Sequence, residues 1–292
     1  MDVLTESEMI EHITAGRRFR ATVSGGAYTV AIARYVPAIV TAIHDGHDIP
    51  EDAAGDLLVS DAERRFEEDP FTGALAGSFA ISLTMHHSRY YYDINRRPEL
   101  CIYQEAWGKK IRQAALSRQQ QAAILDLHRS YYRVLDALLS ALEQRFTACV
   151  VYDLHSYNYS RLGGDPPLFN IGTHYISPGR FRPLLLQLVD GLQAVDLPGE
   201  INRTACDEVF AGKGYQAEYI SSNHSDSLCI PIEIKKVFMD EATCALHRLC
   251  FDRLSLAVRE VISSHARSFA QYLRVTTFDQ QDFLSPAARA TS

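Results

Sequence analysis

The stretch from residue 117 to 157 constrains the fold most, because a long amphipathic helix in it runs straight into an apolar strand. Ile124, Leu127, Tyr131, Leu135, Leu138 and Leu142 recur at three- and four-residue steps, which places them on one face of a helix over 117–146. The next segment, Ala148-Cys149-Val150-Val151-Tyr152, is a continuous apolar run of the kind that a sheet covered on both faces requires. Helix leading into buried strand is the βαβ rhythm of an α/β sheet covered by helices. That strand stops on Asp153-Leu154-His155-Ser156 and so delivers an imidazole to the carboxyl edge of the sheet, where open α/β folds keep their chemistry.

Other segments extend the pattern. Apolar runs at 28–33 and 38–43 predict two successive strands separated by a turn, and residues 78–85 alternate, with Phe79, Ile81, Leu83 and Met85 on one face of a third. Ser60-Asp61-Ala62-Glu63 is a capping box that starts a short helix. It ends before Asp69-Pro70, since proline disfavours helical geometry in the residue preceding it. Further on, strands are expected at 169–172, 215–220 and 228–234, helices at 181–192 and from about 241 to 266, and a polar, frayed tail beyond 285. No repeat, low-complexity tract or linker interrupts the chain, which predicts one domain over residues 1–292 with a C-terminal helical segment at 241–285.

Composition narrows the function. A formal charge of −7 leaves no basic stripe for phosphate, so a nucleic-acid partner is not expected. No run reaches the ~18 or more apolar residues of a membrane span, and Met1-Asp2-Val3-Leu4-Thr5-Glu6 lacks a basic start with an apolar signal core. A soluble, cytoplasmic enzyme without a membrane partner is the expectation. The six cysteines are scattered with no Cys-x-x-Cys pair, which excludes a zinc ribbon and a disulfide framework. No Gly-x-Ser-x-Gly elbow, Walker loop or dinucleotide fingerprint occurs.

Three further polar clusters sit at or after strand-like segments. His44-Asp45-Gly46-His47 follows the second strand, and two imidazoles three residues apart can converge on one cation with His155 as a third ligand. Three protein ligands leave a position open for water, the catalytic rather than the structural arrangement, and neutral imidazoles suit Zn2+. Carboxylates are equally good ligands, so Glu67, Glu68 or Asp69 can replace His47 or orient it. Arg89, Asn95 and Arg96 are suited to hold a small acidic substrate, because guanidinium presents a planar fork that matches carboxylate. Glu233 projects from a strand opposite Ile232 and Ile234 and is suited to proton transfer beside a metal. Pro231, lacking an N–H, predicts a sheet edge or strand start for that segment. His174 and His224, in loops, are weaker candidates for the same cleft.

In order along the chain, His44-x-Gly46 with Pro50, Glu67-Glu68-Asp69-Pro70-Phe71-Thr72, Ser88-Arg89 with Asp93-Ile94-Asn95-Arg96, Asp153-x-His155-Ser156, Asn170-Ile171-Gly172-Thr173 and residues 233–241 resemble the N-formylglutamate amidohydrolase family over about 38–242. The resemblance implies an α/β fold, three-layer α/β/α with a central mixed sheet, phosphorylase/hydrolase-like in the manner of zinc carboxypeptidases and aspartoacylases. It implies hydrolysis of N-formyl-L-glutamate or a related N-acyl amino acid with one Zn2+. His44 and His155 match the first and last metal ligands, and His47 stands where that pattern has glutamate. Asn95 and Arg96 match the carboxylate clamp, and Glu233 matches the general base. The alternatives are a zinc hydrolase acting on another acylated amino acid or peptide, and a catalytically silent member that binds an acidic ligand. No feature specifies an oligomeric state.

Overall fold

The structure is a computed structural model and describes residues 2–289. The chain runs β1 (Asp2–Leu4), α1 (Glu6–Thr14), β2 (Phe19–Val23), β3 (Tyr28–Ile32), β4 (Ala38–Ala42), α2 (Glu51–Ala54), α3 (Asp61–Glu67), α4 (Thr72–Ala76) and β5 (Ile81–Met85). A two-stranded ribbon, β6 (Glu105–Ala106) and β7 (Lys109–Lys110), precedes α5 (Arg118–Phe146), β8 (Val150–Tyr157), β9 (Phe169–Ile171) and α6 (Pro178–Gln193). Then come β10 (Thr204–Cys206), α7 (Tyr215–Asn223), β11 (Leu228–Lys235), α8 (Arg248–Tyr272), a 3-10 turn at Gln280–Phe283 and α9 (Pro286–Arg289).

Nine strands form one mixed sheet in the order β1-β2-β3-β5-β4-β8-β11-β9-β10. Its centre, β5-β4-β8-β11, is parallel, and β3 and β9 pair antiparallel on either side. Helices cover both faces: α5 and α7 lie on the side of Thr41 and Asp153, which hydrogen bonds through Gln216 join to Tyr131, and α8 lies on the side of Tyr152. β4 and β8 are buried along their whole lengths, as a sheet covered on both faces requires. α5 closes one layer with Tyr131, Leu135, Leu138, Leu139 and Leu142, all without exposed area, and each such side chain contributes roughly 1.5–3 kcal/mol of burial.

The capping box at Ser60 and Glu63 starts α3 as expected, and Ser117 with Gln120 caps α5 in the same way. The two strands expected at 28–33 and 38–43 both form, as β3 and β4, with β5 lying between them in the sheet. Several expectations need correction. β8 does not stop on Asp153 but runs through the motif to Tyr157. The segment 215–220 is helix: Gln216, Ala217 and Ile220 are its buried face, a helical spacing that alternation of Tyr215, Ala217 and Tyr219 imitates over so few residues. Pro231 lies inside a central strand. Its carbonyl accepts from Gly172 N–H at 3.0 Å on the β9 side, so its missing donor points to where β9 has already ended and costs no ladder bond. α8 begins at Arg248, because 240–245 form a turn in which Asp240 accepts from the N–H groups of Ala242 and Thr243. The tail past 285 holds a short helix with Ala288 buried, and Leu284 bridges to Phe79.

Candidate active site

Sheet register assembles the first part of the site. β8 pairs Asp153 with Pro231 and His155 with Glu233 on β11, so that Asp153, His155 and Glu233 project from one face of adjacent strands. Thr41 of β4, opposite Asp153, donates to its Oδ1 at 2.8 Å. His44 lies two residues past the end of β4, in a loop whose course needs glycine: a Cβ on Gly46 would stand 2.4 Å from the carbonyl carbon of His86. α3 then returns the chain to this loop, and Asp69 N–H donates to His44 O at 2.8 Å. Lys236 fixes the same turn by donating to Phe66 O at 2.9 Å and Glu68 O at 2.7 Å.

His44, Asp69 and His155 are buried, with ligand atoms within 4.8 Å of one another, and together could hold a metal ion. Asp69 Oδ2 lies 3.0 Å from His155 Nδ1 and 3.5 Å from His44 Nδ1. Each ring is bound by a carboxylate at its other nitrogen, His44 Nε2 to Asp93 at 2.8 Å and His155 Nε2 to Asp153 at 3.1 Å. A neutral ring that donates from Nε2 presents a bare lone pair at Nδ1. Two such lone pairs then face one carboxylate oxygen, an arrangement of acceptors that calls for a cation. The surrounding carboxylates favour positive charge at this point: burial alone would depress the His155 pKa, yet Asp153 and Asp69 raise it well above the ordinary imidazole value, so that without a metal the ring itself carries the charge that a cation between the rings would replace. Burial likewise opposes ionisation of Asp69, and the two neighbouring histidines, in the same metal-free state, hold its carboxyl below the usual range.

His47 does not join them. Its Nδ1 meets the Glu68 carboxylate and its Nε2 lies 2.6 Å from Asp61, while Arg64 donates to its carbonyl at 2.9 Å. Three residues along a loop do not fix direction as they would along a helix, and this loop turns His47 outward. Of the carboxylates weighed in its place, Glu67 pairs with Arg161 at 2.7 Å through both oxygens, Glu68 binds His47 and Ser88, and Asp69 alone stands between the two histidines.

These groups face a cavity of about 390 Å³ whose wall includes His44, Asp69, His155, Glu233, Arg89, Asn95 and Arg96. Burial pushes the Glu233 carboxyl up to about 7, an effect that His155 offsets in part and Asp69 reinforces. Asp93 ties the arginine segment to the histidines: it accepts from His44 Nε2, from Arg89 Nη2 at 2.7 Å, from Asn95 N–H at 2.9 Å and from the Tyr103 hydroxyl. Among the described residues the Arg96 side chain hydrogen-bonds only the Tyr103 hydroxyl, at 3.4 Å. His174 and His224 do not line the cavity; His224 lies between Asp136 and Glu143 of α5. Sequence reading gave no role to Asp93 or Asp153, although Asp153 stands two residues before His155 and must share its face in a strand. Trp107, Arg161 and Lys213 of the cavity wall belong to no local pattern, and Lys236 lies in the 233–241 motif without a role assigned to it.

The class follows from comparison. Residues 36–239 match the family model of the N-formylglutamate amidohydrolases. The chain belongs to the N-formylglutamate amidohydrolase family. Among solved structures it is similar to an N-formylglutamate amidohydrolase from Ralstonia eutropha JMP134, with 20% identity over 85% of this chain and 98% of that one and a TM-score of 0.67. A gene product of Agrobacterium tumefaciens is similar at 18% identity over 82% of this chain and 95% of that one, with a TM-score of 0.60. At such identities the likeness is one of fold. None of the curated proteins matches the chain. Among the described residues no helix is long and apolar enough to cross a membrane.

Proposed function

We propose that the chain hydrolyses the amide bond of N-formyl-L-glutamate or a related N-acyl amino acid, with one zinc ion held by His44, Asp69 and His155. The observation that carries this reading is the meeting of His44 Nδ1, His155 Nδ1 and Asp69 Oδ2 in the cavity that Glu233 also lines. Two imidazoles and a carboxylate suit zinc and leave a position open, and the carboxylates of Asp93 and Asp153 orient the rings from behind. When bound, the ion would supply a Lewis acid for the amide carbonyl and lower the pKa of water.

The chain's own residues account for the remainder. Arg89 is committed to Asp93, so Arg96 is the guanidinium left to receive the substrate carboxylate. Asn95 Oδ1 already accepts from Gln216 N–H at 3.1 Å, which leaves its Nδ2 as a donor beside Arg96. Glu233, poised near 7, takes a proton from water as the water oxygen bonds to the carbonyl carbon. It returns that proton to nitrogen as the C–N bond breaks, giving a free amine and a carboxylic acid. A silent, ligand-binding member was suggested by His47 at the middle ligand position; Asp69 offers the carboxylate there, and turnover is the better reading.

Zinc per chain and formate release from N-formyl-L-glutamate test it, in wild type and His155→Ala. About one zinc per chain, lost in the variant together with formate release, is expected. A wild-type protein that takes up no zinc when supplied with it sinks the proposal.

A further inference from the structure

Five cationic side chains line the cavity: Arg89, Arg96, Arg161, Lys213 and Lys236. Three have settled partners, since Arg89 is paired with Asp93, Arg161 with Glu67, and buried Lys236 with two backbone carbonyls. Among the described residues Arg96 and Lys213 have no acid within ion-pair range, in a chain whose acids outnumber its Lys and Arg 36 to 29. Two uncompensated cations facing one cavity match a ligand with two anionic groups.

The backbone under Lys213 is held from both ends. Upstream, Asn170 of β9 accepts from Glu208 and Val209 N–H at 3.0 and 2.9 Å and donates to Phe210 O at 2.8 Å. Downstream, Tyr215 N–H donates to Asn95 O at 3.0 Å, and Gln216 N–H to its Oδ1. The flanking glycines are close contacts: Gly212, at φ 73°, would place a Cβ 2.8 Å from Gly172 Cα, and Gly214 would place one 2.4 Å from Asn95 Oδ1. Asn95, the residue preceding Arg96, is thus tied to the Lys213 loop, so both cations belong to one braced frame.

Resting on the amide-hydrolase reading above, we propose that Lys213 determines specificity by binding the second carboxylate of a dicarboxylic N-acyl amino acid, whose first carboxylate is held by Arg96. A lysine suits this place, as a compact charge on a flexible stem that meets a side-chain carboxylate without demanding a planar fork. Lys213 touches substrate and takes no part in proton transfer.

The test is binding to zinc-loaded protein, read from the fluorescence of Trp107, the chain's single tryptophan and part of the cavity wall. The probes are glutarate and its monoamide, which differ by one charge and carry no N-acyl bond. Wild type is expected to prefer glutarate roughly tenfold or more. Lys213→Met should abolish that preference by weakening glutarate alone, and Lys213→Arg should retain it. Absence of a preference in wild type, or a Lys213→Met variant that keeps it or loses both ligands equally, overturns the assignment. Formate release from N-formyl-L-glutamate, measured on the same wild-type preparation, reports separately on the hydrolase reading: discrimination without turnover upholds Lys213 and removes the reaction.

Discussion

Replacing Asp93 with asparagine should damage stability and metal binding together, because one buried carboxylate serves both halves of the site. Its Oδ1 accepts from His44 Nε2 at 2.8 Å and Asn95 N–H at 2.9 Å, and its Oδ2 from Arg89 at 2.7 and 3.2 Å and from the Tyr103 hydroxyl. Asparagine keeps the shape but removes the charge, and its NH2 must face donors whichever way the amide is turned. Arg89 then stays in the protein interior without its counter-charge, a loss of roughly 3–5 kcal/mol for a buried pair. His44 loses the group that fixes its tautomer, which costs about 10–100-fold in metal affinity. Urea unfolding of the metal-free proteins measures the first effect and a zinc competition titration the second. Adding Arg89→Met to Asp93→Asn removes the orphaned cation and should recover part of the lost stability. A metal-free Asp93→Asn protein within about 1 kcal/mol of wild type, against the 5–15 kcal/mol typical of a folded domain, would refute the hub.

Glu233→Gln should lower kcat by roughly 10²–10⁴ while zinc content is retained, and should leave the fold as stable or more so, because burial opposes ionisation of this carboxyl; formate release and thermal unfolding check both. His265 is buried where the Tyr152 hydroxyl donates to its Nδ1 at 2.6 Å and its Nε2 donates to Leu184 O at 2.9 Å, and burial lowers its pKa to about 4. The unfolded chain takes up a proton at this ring below about 6.5 and the folded one does not, so its contribution is whole above about pH 6.5 and is lost as pH falls toward 4. The loss is roughly 3 kcal/mol at most; His265→Gln should flatten that part of the unfolding profile, and an unaltered slope would count against the assignment. Gly46→Ala forces a Cβ to within 2.4 Å of backbone at His86, which should cost roughly 1–3 kcal/mol and reduce bound zinc by displacing the His44 turn, as unfolding and metal analysis would show.

What the sequence discloses here depends on how far apart the cooperating residues lie. The capping box at Ser60 and the apolar stripe of α5 involve near neighbours, and they are legible because a few bonds of backbone decide them. The strand order is not, since nothing local tells β5 to enter between β3 and β4. The same division runs through the site. His155 and Glu233 could be read from their strands, because two-residue alternation determines where a strand side chain points, and His44 from its place just past the end of β4. His47 could not: it sits in a loop, and its direction follows from the approach of Gly46 to His86 and from the pull of Glu68 and Asp61, contacts with segments elsewhere in the chain. Asp69 takes its place beside the histidines through equally remote contacts, a backbone bond to His44 and the grip of Lys236 on Phe66 and Glu68. Lys213 is the extreme case, an unremarked lysine between two glycines until Asn95 and Asn170 fix its loop against the cavity. A strand thus fixes the direction of the side chains it delivers, whereas a loop residue, even one a motif names, takes its direction from partners far away in sequence. Lys213 is such a loop residue, and for that reason the affinity difference between glutarate and its monoamide bears on substrate choice more directly than any further motif in this chain.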